Sequence, residues 1–456
     1  MQLDPDTCFR ALAARDRRFD GAFYVGVTTT GIYCRPVCPA RTPARDRCLF
    51  FRSAAEAERA AFRACFRCRP ELAPAAPRAD ASPLVARAVV RIEAGALDGG
   101  SVDDLARALG VTGRHLRRRM QAEIGVGPLD LAQTRRLGLA KRLLQDTALP
   151  LAEVALTSGF GSVRRFNAAF RARFDRAPSA VRRDHGDPAT RGQHGIGVAP
   201  GAEAIAVRLD HRPPLDWDAL LAFLSARSVP GVERVERGAY RRTVRVGERV
   251  GWLAVRPGSG TALAAEVSSS LSGVLVPVVA RLRALLDLDA HPAEVDEHLG
   301  RDALLSPLVR RHPGLRVPGA FDPFEAAARA VLGQQVSVAA ATTLAGRLAR
   351  AHGAPVATPF EGLDRAFPPP AAVAALDEDR IASLGMPGAR ARTLLALARG
   401  FDALGLERGA DPERAFQALR AVPGVGPWTA SYVALRALGA PDAFPAADLG
   451  LRKALG

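Results

Sequence analysis

The sequence predicts a multidomain α+β protein, and three observations support this fold class. The chain has 456 residues, too many for one ordinary hydrophobic core. Hydrophobic residues make up 48% and charged residues 24%, which is the composition of globular domains. Strand-like and helix-like regions follow one another in blocks, with Pro- and Gly-rich breaks at 71–83, 182–201 and 310–323. We therefore expect four domains, at residues 1–76, 84–185, 199–313 and 314–456.

The charge balance predicts a polyanionic partner. Lys and Arg number 63 against 47 Asp and Glu, so the net charge is +16 and the isoelectric point about 10.8. Such a balance favours nucleic acid over an anionic membrane surface. The sequence has neither an apolar stretch of membrane-spanning length nor the apolar core of a signal peptide, so we expect a cytoplasmic protein with no membrane partner. In a reducing compartment, close cysteines are interpreted as metal ligands or redox groups before disulfides.

Residues 1–76 are expected to form a small α/β domain around a zinc site. β-Branched and aromatic residues over 22–34 predict strands, and a serine-led, alanine-rich stretch predicts a helix over 53–65. Two close cysteine pairs have the spacing of a tetrahedral Zn²⁺ site, Cys34-x3-Cys38 and Cys65-x2-Cys68. On spacing alone, such a site is a structural staple. Two further cysteines have no close partner and are expected to be small buried residues, namely Cys8 and Cys48.

The residues around these cysteines form a more specific signature than the cysteine spacing does. The runs "FYVGVTTTGIYCRPVCPARTP" and "AAFRACFRCRPE" resemble the N-terminal domain of the Ada family of DNA-alkylation repair proteins, over about the first 70 residues. The resemblance implies that Cys34 is both zinc ligand and nucleophile, and that it takes a methyl group from a methylated DNA phosphate once. It also implies that Thr30 and Arg41 contact the DNA backbone. A zinc-bound thiolate is a nucleophile at neutral pH, so this chemistry is physically reasonable.

Residues 84–185 are predicted to be helical throughout, with two helix-turn-helix units. In the first, at 101–128, Ser101 caps a helix whose Leu105 and Leu109 face inward, and Gly110 makes the turn. A second unit is expected at 149–183, with its phenylalanines in the core. The polar residues expected on the second helix of each unit are Arg114, His115, Arg117 and Arg118, then Ser162, Arg164, Arg165 and Asn167.

Two such units joined by one long helix resemble the AraC-type DNA-binding domain. The resemblance implies that the second helix of each unit enters the major groove, where arginine contacts guanine or phosphate. Any single arginine here could equally lie on a solvated helix face. The pattern therefore predicts DNA binding by the region, while the choice of base-reading arginine stays open.

The second half of the chain is predicted to join an α+β sheet domain to a mostly helical domain. Strands are expected in "EAIAVRLD", "RRTVRV" and "GWLAVRP", with a helix over 216–227. Further on, "ALRAVPGVGPWTASYVALRALG" (418–439) has the pattern of a helix–hairpin–helix. The glycines Gly424 and Gly426 permit a tight hairpin that presents backbone N–H groups at a helix N-terminus, which is a site for phosphate.

This half resembles the helix–hairpin–helix family of 3-methyladenine DNA glycosylase II over roughly 203–456. The resemblance implies that Asp448 is the catalytic carboxylate, that Gln335 lies where the family inserts an apolar wedge, and that Trp428 and Tyr432 bind the cationic base. Bifunctional relatives carry a lysine at the position of Trp428, so monofunctional hydrolysis is expected. The alternatives are core aromatics at these two positions and a helix cap at Asp448.

The family continues with further helices after the position of Asp448, so a C-terminally truncated glycosylase domain is expected. The combined prediction is an alkylation-response protein that excises alkylated purines, accepts methyl groups from DNA phosphotriesters at a Zn²⁺-bound thiolate and regulates transcription. Its expected partner is double-stranded DNA, both alkylated and promoter DNA. RNA polymerase is a further candidate partner, and a monomer is expected. The alternative is a transcription regulator and damage sensor whose glycosylase half is inactive.

Overall fold

The N-terminal region forms an α/β unit built on a four-stranded sheet. The computed structural model describes residues 4–75, 81–147, 149–185 and 204–455. The strand order is β3-β1-β2-β4, and only the β2–β4 pair is parallel. The strands are β1 (Tyr24–Val27), β2 (Ile32–Cys34), β3 (Cys48–Phe51) and β4 (Arg63–Ala64), and the helices are α1 (Pro5–Ala14) and α2 (Ala54–Arg59).

The helix predicted over 53–65 is wrong in its second half. Ser53 caps α2 as expected, and its hydroxyl oxygen accepts from Glu56 N at 3.0 Å. The helix ends at Arg59, Ala61 has a left-handed φ of 66°, and the chain then pairs with β2. Phe62 is buried, with its ring centroid 5.4 Å from that of Phe51. Sheet pairing and this aromatic contact therefore outweigh the local helical composition.

The second region is helical throughout, as predicted. Its helices are α3 (Pro83–Glu93), α4 (Val102–Ala108), α5 (Gly113–Ile124), α6 (Pro128–Asp146), α7 (Leu151–Thr157), α8 (Val163–Phe174) and α9 (Pro178–His185). Ser101 and Asp104 form a capping box at the start of α4. α9 occupies the first residues of the linker expected at 182–201, and the rest of that linker lies outside the described residues, as do residues 76–80 of the first linker.

The expected core positions of the two helix-turn-helix units are confirmed. Leu105 and Leu109 are buried, and Gly110 turns the chain with a φ of 76°. In the second unit the side chains of Phe160, Phe166, Phe170 and Phe174 are buried and form a continuous row of tilted and edge-on ring contacts. The buried side chains of α5 and of α8 belong to hydrophobic clusters that also contain residues of α6.

The third region is a five-stranded antiparallel sheet in the order β5-β9-β8-β7-β6. The strands are β5 (Ala204–Asp210), β6 (Glu233–Glu236), β7 (Ala239–Val246), β8 (Arg249–Pro257) and β9 (Ala262–Ser268). The helices of this region are α10 (Trp217–Ser225), α11 (Leu275–Leu285), α12 (Pro292–Leu299) and α13 (Ser306–Arg311). Three of the strands and α10 were predicted, whereas β6 and β9 were not.

The last region is helical and carries the hairpin. Its helices are α14 (Pro323–Leu332), α15 (Val338–His352), α16 (Pro370–Ala374), α17 (Glu378–Ala382), α18 (Gly388–Arg399), α19 (Pro412–Arg420), α20 (Pro427–Val433) and α21 (Leu449–Leu455). α20 continues into a π-helical turn over Ala434–Leu438. None of the helices in the described ranges combines the length and the apolar character needed to cross a membrane.

Candidate functional site

Four thiols converge where β2 and β4 end. Cys34 closes β2, and Cys65 follows β4, with its N–H donating to Tyr33 O at 3.0 Å. Tight turns bring Cys38 and Cys68 back to the same point, and all four Sγ atoms lie within 4.8 Å of one another. A Zn–S bond of about 2.3 Å places the sulfurs of a tetrahedral site about 3.8 Å apart. The cluster therefore fits Zn²⁺ with little rearrangement.

Exposure distinguishes Cys34 from the other three ligands. Cys38, Cys65 and Cys68 are only 6%, 8% and 8% exposed, whereas Cys34 is partly exposed. Backbone N–H groups donate to two of the buried sulfurs, from Arg35 to Cys68 at 3.4 Å and from Cys68 to Cys65 at 3.5 Å. Such bonds draw negative charge away from a thiolate. Cys34 is thus the thiolate best placed to meet a large ligand.

The other two cysteines are confirmed as small buried residues. Cys8 and Cys48 are 3% and 5% exposed and belong to a core that is separate from the thiolate cluster. Burial, with help from the charge of Asp4, raises the pKa of Cys8 to about 11. Burial also raises the pKa of Cys48. Both residues therefore remain neutral thiols at neutral pH.

Thr30 and Arg41 lie at the surface of this domain. Thr30 is exposed in the turn between β1 and β2, and its hydroxyl donates to Val27 O at 3.3 Å. Arg41 is also exposed, in the segment between Cys38 and β3. Both side chains are accessible to a phosphate backbone.

The polar residues expected on α5 and α8 point outward, with one difference in position. Ser162 precedes α8 and caps it, with its hydroxyl oxygen accepting from Arg165 N at 3.3 Å, so it lies at the helix end rather than within the helix. His115 and Asn167 are partly exposed. The exposed members of the set are Arg114, Arg117, Arg118, Arg164 and Arg165. The two helices therefore present a strongly cationic surface.

The hairpin between α19 and α20 is held by two buried valines, Val422 and Val425. Gly424 has a φ of 84°, and a Cβ there would lie 2.0 Å from Thr393 Oγ1, so only glycine fits. Gly426 directly precedes α20. Over the described ranges, the N–H groups of Gly424 and Gly426 have no hydrogen-bond acceptor. They form the positive end of a helix at the surface, which is the geometry of an anion site.

Asp448 lies beside the two aromatic residues of α20. Trp428 and Tyr432 are four positions apart and stack with ring centroids 5.2 Å apart and planes 17° apart. Trp428 Nε1 donates to Asp448 Oδ2 at 2.9 Å. Both rings are partly exposed, and Tyr432 also packs against the hydrophobic core of this region. Asp448 also accepts from the N–H groups of Gly450 and Leu451, so it does cap α21.

The surroundings of Asp448 keep it ionised. Burial raises its pKa, but the hydrogen bonds from Leu451 N, Trp428 Nε1 and Gly450 N, together with the charge of Arg227, outweigh burial. The net effect is a pKa below the ordinary value of an aspartate. Asp448 is therefore a carboxylate at neutral pH, available to a developing positive charge.

Sequence reasoning missed three neighbours of this site, namely Phe223 and Arg227 of the sheet domain and Arg436 of the turn after α20. Two guanidinium groups contact the ring of Phe223, on α10, with Arg227 Cζ 4.0 Å and Arg436 Cζ 4.7 Å from its centroid. Arg436 also lies 5.5 Å from the Tyr432 centroid. Phe223 precedes Arg436 by more than two hundred residues, and no local spacing signals their contact.

Gln335 occupies the exposed tip of the loop between α14 and α15. Its φ of 55° lies in the left-handed region, which turns the side chain outward at the tip. The preceding residue anchors this loop to the hairpin, with Gln334 Nε2 donating to Gly424 O at 3.0 Å and to Thr429 Oγ1 at 3.2 Å. The loop and the hairpin therefore form one surface.

Four family descriptions match consecutive parts of the chain. The metal binding domain of Ada matches residues 7–71 and a helix-turn-helix domain matches 105–184. The AlkA N-terminal domain matches 206–322, and the HhH-GPD superfamily of base excision DNA repair proteins matches 328–456. These matches define the class: a base-excision DNA repair protein joined to a zinc-binding, helix-turn-helix regulator.

The relatives identify the family more closely. The chain is 42% identical, over its whole length and 90% of the relative, to a probable bifunctional transcriptional activator/DNA repair enzyme AlkA of Mycobacterium tuberculosis. It is 38% identical over 52% of its length to Escherichia coli DNA-3-methyladenine glycosylase 2, of which it covers 82%. Its front part is 46% identical over 71 residues to Escherichia coli Ada, of which it covers 20%. The chain belongs to the family of bifunctional AlkA transcriptional activator/DNA repair proteins.

Proposed function

We propose that this chain hydrolyses the N-glycosidic bond of alkylated purines in double-stranded DNA, with 3-methyladenine as the typical substrate. The observation that carries this proposal is the ionised carboxylate of Asp448 bound to Trp428 Nε1 at 2.9 Å, beside the Trp428–Tyr432 stack. The four sequence ranges 1–76, 84–185, 199–313 and 314–456 are proposed as the domains that share the work.

The proposed reaction uses the charge already present on the damaged base. An alkylated purine is cationic and leaves readily, so the enzyme needs no strong general acid. The base flips out of the duplex and contacts the electron-rich rings of Trp428 and Tyr432. As the bond breaks, positive charge develops on the sugar, and the Asp448 carboxylate stabilises it or orients the attacking water.

The duplex is proposed to be held by the neighbouring loops. The N–H groups of Gly424 and Gly426 bind a backbone phosphate, and Gln335 fills the space that the flipped nucleotide leaves. Gln335 is longer and more polar than an apolar wedge, and it can donate and accept hydrogen bonds with the orphaned base. Trp428 has no amine and forms no Schiff base, so strand cleavage is not part of the proposed reaction.

Incubation of the purified chain with duplex DNA containing 3-methyladenine tests this proposal. The expected products are the free base and an intact strand with an abasic site, with no protein–DNA adduct after borohydride treatment. An adduct would contradict the monofunctional mechanism. Absence of base release, with methyl uptake at Cys34 retained, would favour a regulator with an inactive glycosylase half.

We propose for the front half that Cys34 accepts a methyl group from a methylated DNA phosphotriester. Bound zinc keeps the four thiols deprotonated at neutral pH. The Cys34 sulfur attacks the methyl carbon, the C–O bond breaks, and its electron pair stays on the phosphate as a diester. Cys34 becomes a thioether, so the net charge of the site changes from −2 to −1. Repulsion of DNA then falls and binding tightens.

Methyl uptake from methylated DNA, followed by mass spectrometry, tests this role. Cys34→Ala is expected to abolish uptake, because no other cysteine is both ionised and partly exposed. Cys48→Ala is the matched control and is expected to retain uptake and zinc, because Cys48 lies in the separate core. Full uptake by Cys34→Ala would contradict the assignment.

Transcription regulation is proposed to follow from methyl uptake at Cys34 and from the tighter DNA binding that results. Thr30 and Arg41 hold the backbone near the thiolates, and the exposed arginines of α5 and α8 contact promoter DNA in the major groove. RNA polymerase is the partner that a promoter-bound form is proposed to recruit, and the chain is proposed to act as a monomer. Removal of two α8 charges, in Arg164→Ala/Arg165→Ala, is expected to weaken promoter binding while leaving base release intact.

A further inference from the structure

A cationic cleft runs between the zinc domain and the sheet domain. It has a volume of about 480 Å³, and the zinc ligand Cys68 forms part of its wall. Its lining includes five arginines against two aspartates, a net charge of +3. The charged members are Arg15, Arg17, Arg35, Arg67, Arg208, Asp20 and Asp210. None of the residues that line the cleft belongs to the helix–hairpin–helix, to α5 or to α8.

The two walls of the cleft are locked together by a buried ion pair. Arg35, 5% exposed, follows the ligand Cys34, and its Nε donates to Asp20 Oδ1 at 2.8 Å. Its Nη1 donates across the boundary to Asp210 Oδ2 at 2.9 Å, and Asp210 ends β5 of the sheet. Arg35 and Arg208 together balance the charges of Asp20 and Asp210, which leaves Arg15, Arg17 and Arg67 as the net positive charge of the cleft. The width of the cleft is set before any ligand binds.

The remaining lining arginines are exposed, and two of them contact hydroxyl groups suited to phosphate. Arg17 Nη1 donates to Thr261 Oγ1 at 3.3 Å, and Arg208 Nη1 donates to Ser259 Oγ at 3.3 Å. Both hydroxyls belong to the loop between β8 and β9, which also carries Gly260. Arginines and hydroxyls are the usual contacts of DNA phosphates, and these weak exposed bonds are easily exchanged.

We propose that this cleft binds the phosphate backbone of duplex DNA, so that one duplex contacts the zinc domain and the sheet domain together. The proposal rests on the proposed DNA-repair function and adds a contact surface to it, with Arg17 on one wall and Arg208 on the other. The cleft binds backbone phosphates without regard to base sequence, because its lining offers charge and hydroxyls rather than a groove-reading helix. It tethers the sensor and the enzyme to the same stretch of DNA.

The salt dependence of binding to an undamaged, random-sequence duplex tests this inference on the full chain. The slope of log K against log salt is negative, and each lost phosphate contact reduces its magnitude by about 0.9. Arg17→Gln/Arg208→Gln is therefore expected to reduce the magnitude of the slope by roughly 1 to 2. Arg301→Gln/Arg310→Gln is the matched control, since it removes two exposed arginines from α12–α13, and its slope is expected to stay unchanged.

A second variant guards against a folding effect at Arg208, whose Nε donates to Asp210 at 2.6 Å. Arg15→Gln/Arg17→Gln leaves that bond intact and is also expected to reduce the magnitude of the slope. An unchanged slope in both cleft variants would overturn the inference. Zinc content, methyl uptake at Cys34 and release of 3-methyladenine at saturating DNA are measured on the same variants. Their retention separates failure of the cleft from failure of the proposed function.

Discussion

Asp448 unites two roles that the sequence presented as alternatives, helix cap and proposed catalytic carboxylate. Its Oδ1 accepts the N–H groups that start α21, while its Oδ2 accepts from Trp428 Nε1. The cap fixes the carboxylate, and the indole orients it next to the aromatic stack. Its position after a turn could be predicted from the sequence, but the bond to Trp428 could not, because twenty residues separate the two side chains.

The lowered pKa of Asp448 predicts the pH dependence of excision. Burial raises this pKa, yet the hydrogen bonds and Arg227 leave it below the ordinary value of 3.8. The charged form is therefore retained as the pH falls and is lost only below the usual range of aspartate. We expect single-turnover release of a cationic base to stay flat from about pH 8 to pH 5 with respect to this group. A loss of rate with an apparent pKa near 6 that Asp448→Asn abolishes would contradict this environment.

At the scale of single elements, the hairpin shows how far a short motif specifies structure. The Pro-Gly-Val-Gly pattern predicted a turn between helices, and α19 and α20 flank it as expected. Amino-acid composition alone, in contrast, gives a wrong secondary structure for one element. The stretch 60–65 is alanine-rich, but pairing of β4 with β2 takes it out of the helix. Contacts with distant strands, which a local pattern does not contain, decided that case.

Gly424→Ala tests the hairpin. The new Cβ would lie 2.0 Å from Thr393 Oγ1, and the backbone has a φ of 84°, so both clash and strain oppose the change. We expect a loss of roughly 2–3 kcal/mol in the free energy of unfolding, together with weaker DNA binding.

Gly405→Ala provides the matched control for the hairpin variant. Its φ is 62°, but a Cβ there meets nothing within 4 Å, so strain acts alone. The expected loss is about 1 kcal/mol, with DNA binding unchanged. Equal losses of stability and of DNA binding in the two variants would show that the close approach at Thr393 does not matter. Denaturant unfolding and DNA titration give the two readouts.

At the scale of the whole molecule, the domains are joined by buried charges that sequence patterns did not reveal. Arg35 and Asp210 are 175 residues apart and form a buried pair. Lys141 of α6 is fully buried, and its Nζ donates to Glu71 Oε2 at 2.8 Å and to the carbonyl of the ligand Cys65 at 2.7 Å. The four cysteines could be identified from spacing, but their connection to α6 and to the sheet required the tertiary structure.

Lys141→Met tests the connection between the zinc site and α6. Loss of the ammonium leaves Glu71 short of a partner in a buried position, and we expect the free energy of unfolding to fall by about 3 kcal/mol. Zinc release to a chelator is expected to become faster, because the Cys65 carbonyl loses its donor. Lys453→Met, at an exposed position of α21, is the control and is expected to change neither quantity. Unchanged zinc release in Lys141→Met would show that the bond from Lys141 to the Cys65 carbonyl does not stabilise the zinc site.

We claim that Asp448 makes this chain a working glycosylase, and base release by matched aspartate variants shows whether it does. The measurement is the rate of 3-methyladenine release from duplex DNA under single-turnover conditions. Asp448→Asn keeps the shape of the side chain and removes its charge, so we expect the rate to fall on the order of 100-fold or more. Asp442→Asn, at an exposed position nearby, is expected to retain the rate of the unmodified chain. Release by Asp448→Asn at the unmodified rate, or no release by the unmodified chain, would contradict the claim.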